Sequence, residues 1–152
     1  MISRLCSLLL LGVVTVTVIT VPAIAAAPTD ACQVLTVAQV SAAVGTTVEA
    51  GTHVTPTFTK TCTWTAKEII VTLSIEGLQM FNGGKGTLAS AERTSGAGVG
   101  DESYYMGVGG SAALHVKKGG DAFKVAIYSS KFSLDQRKAM EKTLAQQAAS
   151  QF

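Results

Sequence analysis

The stretch Glu68-Ile-Ile-Val-Thr-Leu-Ser-Ile-Glu76 is the clearest strand in this sequence. Its apolar and polar residues alternate over nine positions, which is typical of a β-strand with one buried face. Ile70 is the one apolar residue on the polar side. Four apolar side chains should therefore face a core: Ile69, Val71, Leu73 and Ile75.

The neighbouring segments extend this strand into a sheet. Residues 61–65 also alternate and place Cys62 and Trp64 on one face, and residues 47–54 can start a strand. Further along, residues 101–106, 111–117 and 123–128 are separated by Gly-rich turns and predict a three-stranded antiparallel meander. In the segment 111–117, Leu114 should face inward and His115 outward.

Helices are predicted between and after the strands. Thr36 and Gln39 form a capping box, and Gly45 ends a short helix with Val37, Val40 and Val44 on its apolar face. Residues 78–93 predict a helix in two pieces, 77–81 and 87–92, that is broken by glycines at 83–86. Ser133 and Gln136 open a last helix, with a buried stripe of Met140, Leu144 and Ala148.

The predicted order is α-βββ-α-βββ-α. We therefore expect an α+β fold in which a single antiparallel sheet is covered by helices, with two similar halves sharing that sheet. Residues 26–152 are long enough for a single domain with its own core.

Residues 1–25 have the pattern of a secretory signal peptide. Arg4 precedes an apolar segment, and Ala23-Ile-Ala25 is a small-residue cleavage site, so we expect the mature chain to begin at Ala26 and to be secreted or periplasmic. The alternative is an uncleaved anchor, because residues 5–27 could span a bilayer. Neither Cys6 nor Cys32 follows a lipobox, so no stable membrane anchor is expected after cleavage.

The net charge and the cysteine content limit the partners and the cysteine chemistry that can be expected. The formal net charge of the whole chain is only +2, which gives no reason to expect nucleic acid or an anionic membrane as a partner. Once the signal peptide is removed, Cys32 and Cys62 are the two remaining cysteines, and an oxidising compartment favours a disulfide between them. A redox-active pair would usually show the Cys-x-x-Cys spacing, which is missing here.

Two Gly-rich segments resemble phosphate-binding motifs without completing them. Residues 83–87, Gly-Gly-Lys-Gly-Thr, lack the hydroxyl residue after Lys85 that a phosphate loop uses to hold magnesium, because Gly86 stands there. Residues 96–100 do not satisfy the dinucleotide fingerprint, since a strand is predicted to follow them. A helix break and a turn are the expected roles, and no cofactor is expected.

The two histidines, His53 and His115, are far apart in sequence and lack metal-ligand spacing. They are expected on the surface, with a metal site as the alternative. Asp101 and Glu102 are adjacent and would point to opposite faces of an extended chain, so they do not form a paired-carboxylate site.

Four motifs of the mature segment occur together: Cys32-Gln-Val-Leu-Thr near the mature start, Cys62-Thr-Trp, Gly98-Val-Gly-Asp-Glu before Tyr104, and a closing helix at Leu144. With them, the segment resembles a bacterial domain-of-unknown-function family of exported proteins and lipoproteins. The resemblance implies an α+β sheet domain, the Cys32–Cys62 bridge and an envelope location. It supplies no catalytic residue.

These observations favour a non-catalytic exported binding or interaction module whose partner is an unknown envelope protein or a small ligand. Tyr104 and Tyr105 are the candidate binding rim, because successive strand residues face opposite sides and one tyrosine should reach the surface beside two Gly-rich loops. The alternative is an envelope hydrolase with a site assembled around His115 or His53.

Overall fold

The structure is a computed structural model that describes residues 26–86, 92–96, 98–107 and 109–152. The predicted signal peptide and its cleavage site lie outside these residues. Within them, no helix is both long enough and apolar enough to cross a membrane.

The described chain contains three α-helices and seven strands, preceded by a 3-10 helix at Ala31–Gln33. The α-helices are α1 (Val37–Val44), α2 (Leu78–Gly83) and α3 (Leu134–Ala149). The strands are β1 (Thr52–His53), β2 (Thr61–Ala66), β3 (Ile69–Glu76), β4 (Glu92–Ser95), β5 (Glu102–Gly107), β6 (Ala113–Lys118) and β7 (Asp121–Ser129).

All seven strands form one antiparallel sheet in the order β1-β2-β3-β7-β6-β5-β4. Two antiparallel blocks, β1 to β3 and β4 to β7, meet where β3 pairs with β7 over eight residue pairs, from Ile69 with Ser129 to Glu76 with Ala122. The predicted α+β class, the single antiparallel sheet and the order of helices and strands are confirmed, as is the meander of β5, β6 and β7.

One helix prediction and one strand prediction need correction. Glu92 and Arg93 belong to β4 instead of a helix, because the backbone of β4 pairs with β5, as in the pair Thr94 and Tyr105. The rest of that predicted helical piece, residues 87–91, lies outside the described residues. The strand expected at 47–54 shortens to β1, although the Glu49 N–H still donates to the Thr65 carbonyl at 2.7 Å.

The inner face of the sheet carries the main core. The four inward residues predicted for β3 face this core, where α3 packs on β6 and β7 and α1 packs on α3. Both capping boxes are present, at Thr36 with Gln39 and at Ser133 with Gln136. Val37 is exposed, however, because it lies in the first turn of α1, and only Val40 and Val44 reach the core.

The buried stripe of α3 differs by one residue from the prediction. Met140 is only half-buried, whereas the next residue, Glu141, is completely buried with Leu144, Ala145 and Ala148. The apolar periodicity predicted the burial of Leu144 and Ala148 correctly. It gave no reason to expect that the carboxylic acid of Glu141 would be buried as well.

The outer face of the sheet is only partly covered. Helix α2 packs on it through Phe81, which contacts Tyr104 and Ala122 in a second, smaller apolar cluster. Beyond α2, Ile70 and Tyr128 are exposed cross-strand neighbours on this face. A groove therefore forms where α2 ends its coverage of the sheet.

Candidate functional site

A concave feature of the described residues, which we call the α2 groove, lies between α2 and the outer face of the sheet. Its volume is about 790 Å³, within the range of small-molecule sites. Its principal side chains come from β3, α2, β5, β6 and β7: Glu76, Gln79, Met80, Met106, His115 and Lys124.

Strand register explains why polar side chains meet at the base of this groove. Lys124 of β7 is paired with Ser74 of β3 and with His115 of β6, and His115 is paired with Tyr104 of β5. Directly paired residues project from the same face of a sheet, so these four side chains form a row across the outer face. Sequence reasoning missed this row because it depends on pairing between distant strands.

His115 is at the centre of the row, and the prediction of a surface histidine is wrong for it. Its side chain does point to the outer face, but it packs against Tyr104 and Glu76 and is only 4% exposed. The imidazole Nδ1 lies 3.0 Å from Glu76 Oε2, and its ring stacks on Tyr104 with centroids 5.0 Å apart. An ionised carboxylate only accepts hydrogen bonds, so Nδ1–H is the donor and Nε2 is left for other contacts.

Glu76 is the anionic centre of the groove. Lys124 Nζ lies 3.3 Å from its second oxygen, Oε1. Burial alone would raise the pKa of Glu76, but the hydrogen bond from His115 and the charges of His115 and Lys124 outweigh it and hold the pKa below its usual value. Glu76 is therefore a paired carboxylate, which orients His115 and is a poor proton donor near neutral pH.

Tyr104 and Tyr105 are both buried, at 5% and 8% exposure, so the prediction that one of them reaches the surface is wrong. The two side chains do point to opposite faces of β5, but each face is covered by a helix. The Tyr104 hydroxyl donates to the Phe81 carbonyl of α2 at 2.7 Å. The Tyr105 hydroxyl donates to the Lys138 carbonyl of α3 at 2.6 Å. The tyrosines therefore fasten both helices to the sheet and do not form an exposed rim.

The Gly-rich segment after Phe81 has a structural role in the same region. A Cβ on Gly84 would lie 2.2 Å from the Tyr104 hydroxyl oxygen, so glycine permits the end of α2 to approach the sheet. The Arg93 guanidinium donates to the carbonyls of Gly84 and Gly86, each at 2.6 Å. Lys85 pairs with Glu102 at 2.7 Å. These contacts hold the end of α2 against β4 and β5.

His53 belongs to a separate cluster near the disulfide. Its Nε2 lies 2.8 Å from Asp30 Oδ1, and both side chains are half-buried. The hydrogen bonds from His53 and from the Cys32 N–H hold the pKa of Asp30 below its usual value. The predicted Cys32–Cys62 disulfide is present and links the 3-10 helix to β2.

Each histidine thus pairs with a carboxylate, the arrangement that orients a general base. Among the described residues, no serine, threonine or cysteine side chain hydrogen-bonds to the His115 imidazole in the α2 groove. Comparisons with protein families, with curated proteins and with solved structures found no match.

Proposed function

We propose that this chain is a non-catalytic exported binding module and that the α2 groove is its ligand site. The proposal rests on two features of the groove. Its wall is apolar and accessible, and the polar side chains at its base, Glu76, His115 and Lys124, are paired with one another. Met80 is 66% exposed on the wall, although a methionine side chain is mostly apolar. Such pockets, with few and fixed polar groups, are typical of small-molecule sites.

The groove best fits a small amphipathic ligand. Met80 and Met106 offer flexible, polarizable side chains that adapt to an apolar body. Lys124 is one-third exposed and retains donors beyond its contact with Glu76, and His115 retains Nε2. A ligand with a polar end could therefore bind at the base while its apolar part covers the methionines.

The proposed location is the cell envelope or the medium. The disulfide supports this, since such bonds persist in oxidising compartments. The signal-peptide pattern of residues 1–25 supports it independently. The resemblance to the exported domain-of-unknown-function family points to the same location and assigns no chemistry.

The pairing of His115 with Glu76 favours a second candidate, an envelope hydrolase, because a general base held by a carboxylate is part of a nucleophilic site. The hydrolase candidate predicts catalytic turnover of a substrate. Hydrolysis of an ester or peptide substrate by the wild type that is lost in His115→Ala, while the melting temperature is retained, would favour the hydrolase over the binding module.

The binding proposal predicts saturable binding of anilinonaphthalene sulfonate, an anionic aromatic probe, with one probe bound per chain. Met80→Asp should weaken binding at least about tenfold, because a carboxylate on the apolar wall must be desolvated and repels the probe. The measurement is probe fluorescence in a titration of the folded protein.

Val54→Asp is the matched control, because Val54 is an apolar residue of similar exposure, 65%, that lies outside the groove. It should leave the probe affinity unchanged. Equal weakening by both variants, or fluorescence that rises without saturation, would contradict a specific site in the α2 groove.

A further inference from the structure

We propose that reduction of the Cys32–Cys62 disulfide opens a Zn²⁺ site formed by both cysteines, Asp30 and His53. This site lies at β1 and the 3-10 helix, outside the α2 groove, and it is independent of the proposed function. It is a metal site that exists in only one redox state of the chain.

The donor atoms already converge in the disulfide form. One ligand atom each of Asp30, Cys32 and His53 lie within 4.8 Å of one another. Cys62 contributes the sulfur bonded to Cys32, and it is the direct cross-strand partner of His53 in the pairing of β1 with β2. Three donor atoms therefore lie close together, and the fourth, the Cys62 sulfur, is bonded to one of them.

The donor set suits zinc. Two thiolates, one imidazole and one carboxylate are all common Zn²⁺ ligands, and four of them complete a tetrahedral structural site. Thiolates favour zinc over harder cations such as magnesium or calcium. The Cα atoms of Cys32 and Cys62 are 4.9 Å apart, so both sulfurs can reach one ion once they separate.

The redox step balances with a phosphine or a dithiol as reductant. The disulfide accepts two electrons and two protons and becomes two thiols. A phosphine is oxidised to its oxide and takes the oxygen atom from water, which also supplies the two protons. A dithiol supplies both electrons and both protons and becomes its own disulfide. Zinc then binds both sulfurs as thiolates, and two protons are released to solvent. In the oxidised chain the sulfurs are bonded to each other and supply no thiolate.

Contacts other than the disulfide hold the ligand-bearing segments together. The Ala31 N–H donates to the Thr59 carbonyl at 2.8 Å. Asp30 caps the 3-10 helix by accepting from the Cys32 N–H at 2.8 Å. These bonds would keep the donors close after reduction. The zinc ion would then join the 3-10 helix to β2 in place of the sulfur–sulfur bond.

The test uses the folded, oxidised protein, which is then reduced with a phosphine that is free of metal and titrated with Co²⁺ and Zn²⁺. Co²⁺ should give the absorption bands of a tetrahedral thiolate complex, and Zn²⁺ should displace it. His53→Gln and Asp30→Asn should each weaken Zn²⁺ binding at least about tenfold. Asparagine retains the capping function of residue 30, so this variant tests the metal ligand separately from the cap.

Asp121→Asn, the same change on the β6–β7 hairpin, is the control and should bind Zn²⁺ as the wild type does. If the reduced wild type unfolds, Zn²⁺ should restore its folded Trp64 fluorescence. The proposal is overturned if reduced wild type shows no thiolate bands, if zinc fails to refold an unfolded reduced chain, or if both ligand variants bind like the control.

Discussion

Replacing both Cys32 and Cys62 with alanine is expected to lower the free energy of unfolding substantially. The bridge closes a loop with a sequence separation of 30 residues, and the loss of such a constraint on the unfolded chain costs about 3.5 kcal/mol. Since small domains are stabilised by only about 5–15 kcal/mol, this is a large fraction of the total. Cys62 is also completely buried, so its truncation adds a small packing loss.

The measurement is urea unfolding followed by the fluorescence of Trp64, which is buried on the same strand as Cys62. Reduced wild type in the presence of a chelator is the control, because the chelator removes any zinc that could replace the bridge. Both should lose about 2–5 kcal/mol relative to the oxidised protein. A double variant within about 1 kcal/mol of the oxidised wild type would show that the bridge does not constrain the unfolded chain as expected.

The elements that could be predicted from the sequence are mainly those that are determined by residues close together in the chain. The capping boxes at Thr36 and Ser133 were recognisable because both partners lie within one turn. The strand at residues 69–76 was recognisable because its apolar residues alternate. The disulfide followed from two cysteines in a chain expected to be exported.

The candidate site could not be predicted because it is formed by contacts between residues that are distant in sequence. Glu76, His115 and Lys124 lie on three strands, and only the order β3-β7-β6 brings them together. Tyr104, which stacks on His115, is covered by α2, a helix of six residues whose packing on the sheet leaves little trace in a periodic pattern. In the same way, β4 depends on pairing with β5 instead of on its own composition.

Glu141 is the buried group for which we expect the strongest pH effect on stability. It lies in α3 with no exposed surface, and its Oε1 accepts from the Ile127 N–H of β7 at 2.9 Å. Its Oε2 has no hydrogen-bond partner among the described residues. Burial raises the pKa of Glu141 to about 8, although the Ile127 N–H and the charges of Arg137 and Lys138 act in the opposite direction.

The raised pKa determines the direction of the effect. Between the normal value for glutamic acid, 4.5, and about 8, the folded chain binds a proton at Glu141 that the unfolded chain has released. Stability therefore falls as pH rises through this window and levels off above it. Tyr105 lies near the same carboxyl, but burial and the charge of Glu141 raise its pKa to about 12, so it stays neutral throughout.

Wild type should accordingly lose about 3 kcal/mol of stability between pH 5 and pH 8 because of Glu141. Glu141→Gln should remove this loss, since the amide oxygen can still accept from Ile127 and no charge forms on the buried side chain. At pH 8 the variant is therefore expected to be more stable than wild type, whereas near pH 5 the difference should be small. The measurement is the free energy of unfolding in urea at several pH values.

Glu49→Gln, the same change at an exposed carboxyl, is the matched control and should retain the wild-type pH profile. Comparing wild type with Glu141→Gln cancels the contributions of other titrating groups, including Glu76, whose lowered pKa affects stability only at more acidic pH. Parallel profiles for wild type and Glu141→Gln between pH 5 and pH 8 would mean that the folded chain accommodates an ionised Glu141. The contact with Ile127 would then be a charge-assisted bond that stabilises the docking of α3, and Glu141→Gln would be destabilising at every pH.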